Sequence, residues 1–433
     1  MAYSTPRGTR DLMPEQALLL EDVLDKVRLV FRKYGYEPIE TPAFEELEVL
    51  EKKSGEEVRK QIFRVGEGEK LGLRFDLTVP LARVVAGNAS LPKPFKRYHI
   101  SRVWRHEEPQ KGRFREFYQA DIDIVGSAGM ECEAELLACA KEALEAVGLE
   151  HLEIRVNNRK ILDAMFAKLG LKAGAMQIFR ALDKLEKLGA EAVEQDLRSL
   201  GLNAGEVDAL MKFASMKGSN DEKLAFVEKN FGAAKEGAAE TRELLALLAE
   251  YGVKAELDLS LVRGLDYYTG PVFEIGAGGP LSSAEERGPF PLGRKEGGIG
   301  SIAAGGRYDD LIGLYCGKAV PATGISLGIE RLMELLKGKA KRVTRVYVAA
   351  AKDEYRNEAR KIVVKLRKAG IPAQVDLMGR KLGKQFEYAN AMGIPYAIIV
   401  GEREIKEGKV TLRNMKSGEE KMLSLDEAVK ELS

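Results

Sequence analysis

Cysteine and histidine are scarce in this 433-residue chain, with three of each, and there is a single tryptophan. Cys132, Cys139 and Cys316 are odd in number and form no Cys-x-x-Cys pair. That argues against a disulfide framework or a structural zinc site and fits a reducing compartment. His99, His106 and His151 have no metal-ligand partners at suitable spacing, so all three read as structural and no metal held by protein ligands is expected. A surplus of one charge is missing too. A net charge of +1 gives bulk electrostatics no case for a nucleic-acid partner, and any such case must be local. No apolar run approaches the roughly 18 residues of a membrane-spanning helix, and Met1-Ala2-Tyr3-Ser4-Thr5-Pro6 lacks the apolar stretch of a signal peptide. The expectation is a soluble cytoplasmic protein with no membrane partner.

What is present is 45% apolar residues, enough for sizeable cores, in a chain long enough for roughly two to four domains. Charged residues reach 31%, which suits ion-pair networks at high working temperature and well-solvated helical surfaces equally. Residues 14–34 read as an amphipathic helix. Leu20, Val23, Leu24, Val27, Val30, Phe31 and Tyr34 recur at three- and four-residue steps, Pro14 suits the first turn, and Gly35 stops it. The segment 36–42 then carries Pro38 and Pro42, which confine it to a sheet edge or a subunit boundary.

Strand-like runs dominate residues 61–126, including Leu73-Arg74-Phe75-Asp76-Leu77 and Phe117 to Ile124. Their connections are too short for parallel crossovers, which favours an antiparallel sheet. Residues 131–147 form a helix with Ala134, Leu137, Ala138 and Leu144 facing in. The stretch 158–250, rich in Ala, Glu, Lys and Leu, reads as a helical insertion, and Gly-rich strand-like sequence returns at 256–330. After a linker-like Lys337-Gly338-Lys339-Ala340-Lys341-Arg342, strands at 344–350, 372–377, 395–400 and 409–414 are interspersed with helices at 353–369, 381–392 and 425–432. That is a small α/β domain.

The usual nucleotide fingerprints fail. The runs 313–319 and 379–385 resemble a P-loop, but each has one residue too few between its glycines and lacks the Ser/Thr after Lys. Gly298-Ile299-Gly300-Ser301-Ile302-Ala303 fits a dinucleotide pattern without its strand-to-helix setting. If ATP binds, a sheet with arginines must hold it. Such arginines exist: between residues 93 and 115, eight lysines and arginines against Glu107 and Glu108 leave +6 in an otherwise neutral chain. A solvated charge run is the plain reading. Phe95, Tyr98, Trp104, Phe114, Phe117 and Tyr118 in and just after the run favour instead a face of fixed cations and stacking surfaces, suited to a triphosphate and a purine. Gly112 implies a hairpin loop able to fold over a ligand.

Arg105-His106-Glu107, the loop 109–115 and Glu116-Phe117-Tyr118-Gln119 resemble motif 2 of class II aminoacyl-tRNA synthetases. The 14–42 segment resembles motif 1, and Thr323 to Leu332, with Arg331, resembles motif 3. Leu261-Val262-Arg263-Gly264-Leu265-Asp266-Tyr267-Tyr268-Thr269-Gly270 and Ala304 to Leu311 are similar to the two peptides peculiar to histidyl-tRNA synthetases. The resemblance covers the whole chain, although the Gly/Pro-rich segment 276–299 is longer than the usual pattern and has no assigned role.

That resemblance implies an α+β fold: a class II synthetase-like antiparallel sheet flanked by helices, with a helical insertion and a C-terminal α/β domain. The implied division is a catalytic core in two parts, 1–157 and 253–336, a helical insertion at 158–252, and an anticodon-binding domain at 343–433. The implied activity is a histidine–tRNA ligase that makes histidyl-adenylate from L-histidine and ATP, with Mg²⁺ accompanying the triphosphate, and then charges tRNA(His), as a homodimer through motif 1. The alternative is an inactive histidine-sensing regulatory paralogue. By the same resemblance, Arg105 and Arg263 are the catalytic cations bridging the carboxylate and the α-phosphate, with an Arg263–Asp266 salt bridge as the plain alternative. Glu107, Arg113 and Arg331, with Arg105, bind ATP. Asp76, Leu77, Thr78 and Gln119 belong to the histidine pocket, the polar ones taking the ammonium. Asp123 and Tyr268 address the imidazole, while Tyr267 and Tyr308 form walls. For Asp123 the plain alternative is pairing with a neighbouring arginine.

Overall fold

The computed structural model describes residues 3–52, 56–109, 113–170, 175–182, 185–262, 267–277, 301–336 and 343–433. The chain divides into two compact units, one of Met1–Asp11 with Leu20–Lys337 and one of Leu12–Leu19 with Gly338–Ser433. Among the described residues no helix is long and apolar enough to cross a membrane.

The larger unit is built on an eight-stranded sheet. Its order is Glu37–Pro38, Phe95–Trp104, Glu116–Val125, Ala322–Gly328, Ala303–Arg307, Pro271–Ala277, Leu152–Asn158 and Glu256–Leu257. The inner ladders are antiparallel and only the two edge pairings are parallel, as the short connections predict. The proline-marked segment is indeed an edge: Pro38 pairs with Tyr98 and nothing in the sheet needs the N–H it lacks. The helix Pro14–Lys33 buries Val23, Val27 and Phe31. Phe31 packs on Tyr98 with ring centres 6.0 Å apart, and Arg32 Nε donates to the Tyr98 hydroxyl at 3.1 Å.

Alternation along Glu116–Val125 decides the rest. Ala120, Ile122 and Ile124 are buried and apolar, so Gln119, Asp121 and Asp123 share the opposite face. Register then sets Gln119 between Ser101 and Gly328, Asp121 between His99 and Ser326, and Asp123 between Arg97 and Gly324. Residues directly opposite in a ladder share a face, so three polar rows cross the sheet. The helix Glu131–Ala146 packs against Ala322–Gly328 and against the helix Lys235–Glu250.

One expected strand is a correction. The strand ends at Leu73, and Thr78–Gly87 is a helix instead of a continuation. Pro80 falls in the first helical turn, where its missing N–H costs nothing, and Asp76 Oδ1 accepts the Val79 N–H at 3.0 Å.

The insertion is helical from Arg159–Lys168 to Lys235–Glu250 around its own core, with Phe166 and Phe179 edge-to-face at 4.4 Å. The smaller unit carries a five-stranded sheet in the order Ala373–Val375, Val346–Ala350, Tyr396–Val400, Val410–Asn414 and Glu420–Leu423. The first three strands are parallel and the last two antiparallel. Glu402–Glu407 and Glu420–Leu423 have no counterpart in the sequence reading. Both are short and charged, so they show no apolar period.

Candidate active site

A cleft of about 490 Å³ opens over the polar face of the large sheet. Asp76, Thr78, Arg105, Glu107, Arg113, Gln119, Asp123, Tyr267, Tyr268, Tyr308 and Arg331 all line it. Leu77 does not. Its side chain is fully buried and its carbonyl accepts from Arg97 at 3.3 Å, because it closes the turn into the helix Thr78–Gly87. Arg263, Asp266 and the loop residues 110–112 lie outside the described residues.

The cationic run is only partly solvated: Lys93, Arg102 and Arg113 are exposed, while Lys96, Arg105 and Arg115 are half-buried. Arg97 is fully buried, Arg102 stacks over Tyr118 at 5.2 Å, and Arg105 lies over Phe117 at 5.1 Å. The Arg105 N–H donates to the Arg115 carbonyl at 2.9 Å, which closes the hairpin, and its side-chain Nε donates to the Phe75 carbonyl at 3.0 Å. One edge of the guanidinium is therefore pinned, and the fork is held beside Asp76, whose carboxyl feels its charge. Arg331 donates to the Ser301 carbonyl, and Arg115 Nε donates to the Glu107 carbonyl at 2.9 Å.

Asp123 does two things at once. It lines the cleft, and it is ion-paired to Arg97 at 2.6 Å while accepting the Tyr308 hydroxyl. The arginine pairing considered from sequence is thus present. Burial raises the Asp123 carboxyl, and Arg97 and Tyr308 oppose that rise. Room for it comes from Gly324, where a Cβ would lie 2.0 Å from Asp123 Oδ1. Tyr308 is fully buried, and Tyr267 packs on Tyr268 with centres 5.0 Å apart.

Among the described residues, and apart from Asp123 Oδ2, which faces Arg97, three cleft oxygens have no donor. Asp76 spends Oδ1 on the helix start, leaving Oδ2. Gln119 donates Nε2 to Ser326 Oγ at 2.7 Å, which turns Oε1 outward, and Asp121 Oδ1 is the third. Asp121 is pushed up to about 7 by burial, with Asp123 and Asp76 adding repulsion against the pull of Arg97. Alternation along Glu116–Val125 puts it on this face, and the family resemblance gives it no role. Glu274, held by Arg155 at 3.2 Å, also lines the cleft and was missed, since no local pattern marks it. His99 is buried and held neutral, lowered to about 3 by burial, Arg97 and Arg74.

Asp121 has a stability consequence. Its carboxyl takes up a proton more readily folded than unfolded, so its penalty is absent below pH 3.8, grows with rising pH, and is complete above about 7. In the ligand-free protein, Asp121→Asn is expected to raise the melting temperature, little near pH 4 and most at pH 8, where the stabilisation is at most about 4 kcal/mol. A variant equally stabilised at both pH values would count against that account.

Among the described residues no three His, Cys, Asp or Glu side chains converge as a metal cage.

Comparison with known proteins gives the family and agrees with the fold. The histidyl-tRNA synthetase family profile matches residues 8–332, and an anticodon-binding domain profile matches 345–433. A histidine–tRNA ligase of Aeropyrum pernix is 41% identical, covering 98% of this chain and 96% of its own length. One of Thermococcus kodakarensis is 38% identical over 98% and 97%. The crystal structure of histidyl-tRNA synthetase from Nostoc sp. PCC 7120 superposes with a TM-score of 0.84 at 31% identity, covering 100% of this chain and 99% of that one.

Proposed function

The chain belongs to the histidyl-tRNA synthetase family, and on that basis we propose how its cleft works as an ATP-dependent histidine–tRNA ligase. The enzyme activates L-histidine with ATP to histidyl-adenylate and pyrophosphate, then transfers histidine to the 3′ end of tRNA(His). One observation carries the site assignment: a pinned guanidinium, Arg105, stands beside the orphan acceptor of Asp76 in one cleft. A cation next to an acceptor is what an α-amino acid's carboxylate and ammonium require.

In-line attack by the carboxylate on the α-phosphorus asks the protein to align reactants and neutralise charge. Arg105 bridges the carboxylate and the α-phosphate, with Arg263 as second cation. Arg113 and Arg331 hold the other phosphates and flank adenine, while Glu107 meets its amino group. Mg²⁺ arrives with ATP and offsets triphosphate charge. Asp76, Thr78 and Gln119 take the ammonium, and Asp123 and Tyr268 read the imidazole between walls formed by Tyr267 and Tyr308.

Residues 1–157 and 253–336 form the catalytic core, 158–252 the helical insertion, and 343–433 the anticodon-binding domain, in a cytoplasmic enzyme. The anticodon-domain match at 345–433 weighs against a histidine-sensing paralogue. Pyrophosphate exchange with each of the twenty amino acids tests the reading. Histidine alone should support exchange, and exchange with another amino acid, or with none, would sink it.

Assembly as a homodimer through residues 14–42 is supported by the edge strand Glu37–Pro38, exposed at both residues, and by Leu29, 65% exposed on the adjoining helix. Light scattering at micromolar concentration should give twice the chain mass of 47.7 kDa. An active monomer would refute it.

A further inference from the structure

We infer that Arg10 is a positioning residue for ATP, acting through Phe114 and Glu330, which it ties together from outside the cleft. This rests on the reading of Glu107, Arg113 and Arg331 as the nucleotide site. Residues 6–10 form a tight turn, in which the Thr9 N–H and hydroxyl both donate to the Pro6 carbonyl, at 3.0 and 2.7 Å. The turn lies against the hairpin that carries Arg113. The Arg115 N–H donates to the Gly8 carbonyl at 2.8 Å, and a Cβ on Gly8 would stand 2.8 Å from both Arg115 and Pro109. Gly8 also has φ +86°, so a side chain there would be strained as well as crowded.

Arg10 completes the brace. Its guanidinium carbon lies 3.9 Å from the centre of the Phe114 ring, and the same group is ion-paired to Glu330. Phe114 and Glu330 line the cleft, whereas Arg10 does not. Each of the two is the chain neighbour of a phosphate-binding cation, Arg113 in one case and Arg331 in the other. One planar cation therefore joins the hairpin of motif 2 to motif 3, stacking on the first and pairing with the second. Glu330 is buried, which raises its carboxyl, and Arg10 does most to oppose that rise. Removing Arg10 takes the counter-charge from Glu330 and the stacked cation from Phe114 together. The contacts of Asp76, Gln119 and Asp123 do not involve it.

Pyrophosphate exchange on the full-length protein reads the two substrates separately. Arg10→Ala should raise the ATP KM by about 5- to 30-fold, the loss of one charge-assisted bond and one ring contact. The histidine KM should not change. Arg10→Lys keeps the ion pair without the flat stack and should recover part of the loss. Because ring and cation act on each other, Arg10→Ala with Phe114→Leu should cost less than the two single changes combined. Should Arg10→Ala fold poorly, Arg10→Gln repeats the comparison with the same split between substrates. An unaltered ATP KM overturns the role of Arg10, as does a histidine KM that rises by a similar factor, the mark of general loosening. Full additivity with Phe114→Leu overturns it too. An ATP KM untouched by both Arg113→Ala and Arg331→Ala defeats instead the reading of the nucleotide site on which the role rests.

Discussion

Alanine in place of Arg105 is expected to reduce histidine-dependent pyrophosphate exchange by about 10²–10³-fold or more, the usual effect of removing one preorganised donor from a developing oxyanion. Preorganisation is visible in the structure. Nε is committed to the Phe75 carbonyl, one guanidinium face rests on Phe117, and the backbone is tied to Arg115 across the hairpin. The side chain therefore enters the transition state already ordered. Arg105→Lys keeps the charge and loses the planar fork, so it should recover only a small part of the rate. Loss in Arg105→Ala should fall mainly on kcat. A drop below tenfold, with kcat intact, would move the catalytic cation elsewhere, Arg263 being the next candidate.

Asp123→Ala is expected to raise the histidine KM more than about tenfold with the ATP KM nearly unchanged, and also to lower the melting temperature. The second effect follows from the ion pair. Truncating Asp123 leaves Arg97 buried without its counter-charge and the Tyr308 hydroxyl without its acceptor, and breaking such a pair from one side costs about 3–5 kcal/mol. A KM change in this variant alone would be ambiguous. The double change Arg97→Met with Asp123→Leu removes both charges, which should return much of the stability. Histidine recognition should stay lost, because the acceptor for the ring N–H is gone. Recovery of a normal histidine KM in the double variant would reduce Asp123 to a structural role, as would a wild-type KM in Asp123→Ala.

Much of the architecture was legible because it rests on local periodicity. The apolar set from Leu20 to Phe31 on Pro14–Lys33 and the alternation from Glu116 to Val125 each show their period within a single element. The helix Thr78–Gly87 was not legible, since Leu73 to Leu77 alternates like a strand. What ends that strand is Asp76 turning back to cap the next helix. The short elements Glu402–Glu407 and Glu420–Leu423 fail for the opposite reason, having too few apolar positions to show any period.

The chain by itself determined the chemistry: which residue types recur at which spacing, hence the family, the cationic aromatic-lined run, and a strand face bearing Gln119, Asp121 and Asp123. Covalent order and side-chain alternation suffice for that. Only the tertiary structure decided how those groups are used. Ladder register sets Arg97 against Asp123, Gly324 vacates the space the carboxylate fills, and Ser326 turns the Gln119 amide. These are contacts between residues up to about two hundred positions apart, and burial alone makes their charges expensive enough to matter. Which carboxylate is answered within the protein, and which awaits a substrate, is therefore a property of the folded sheet.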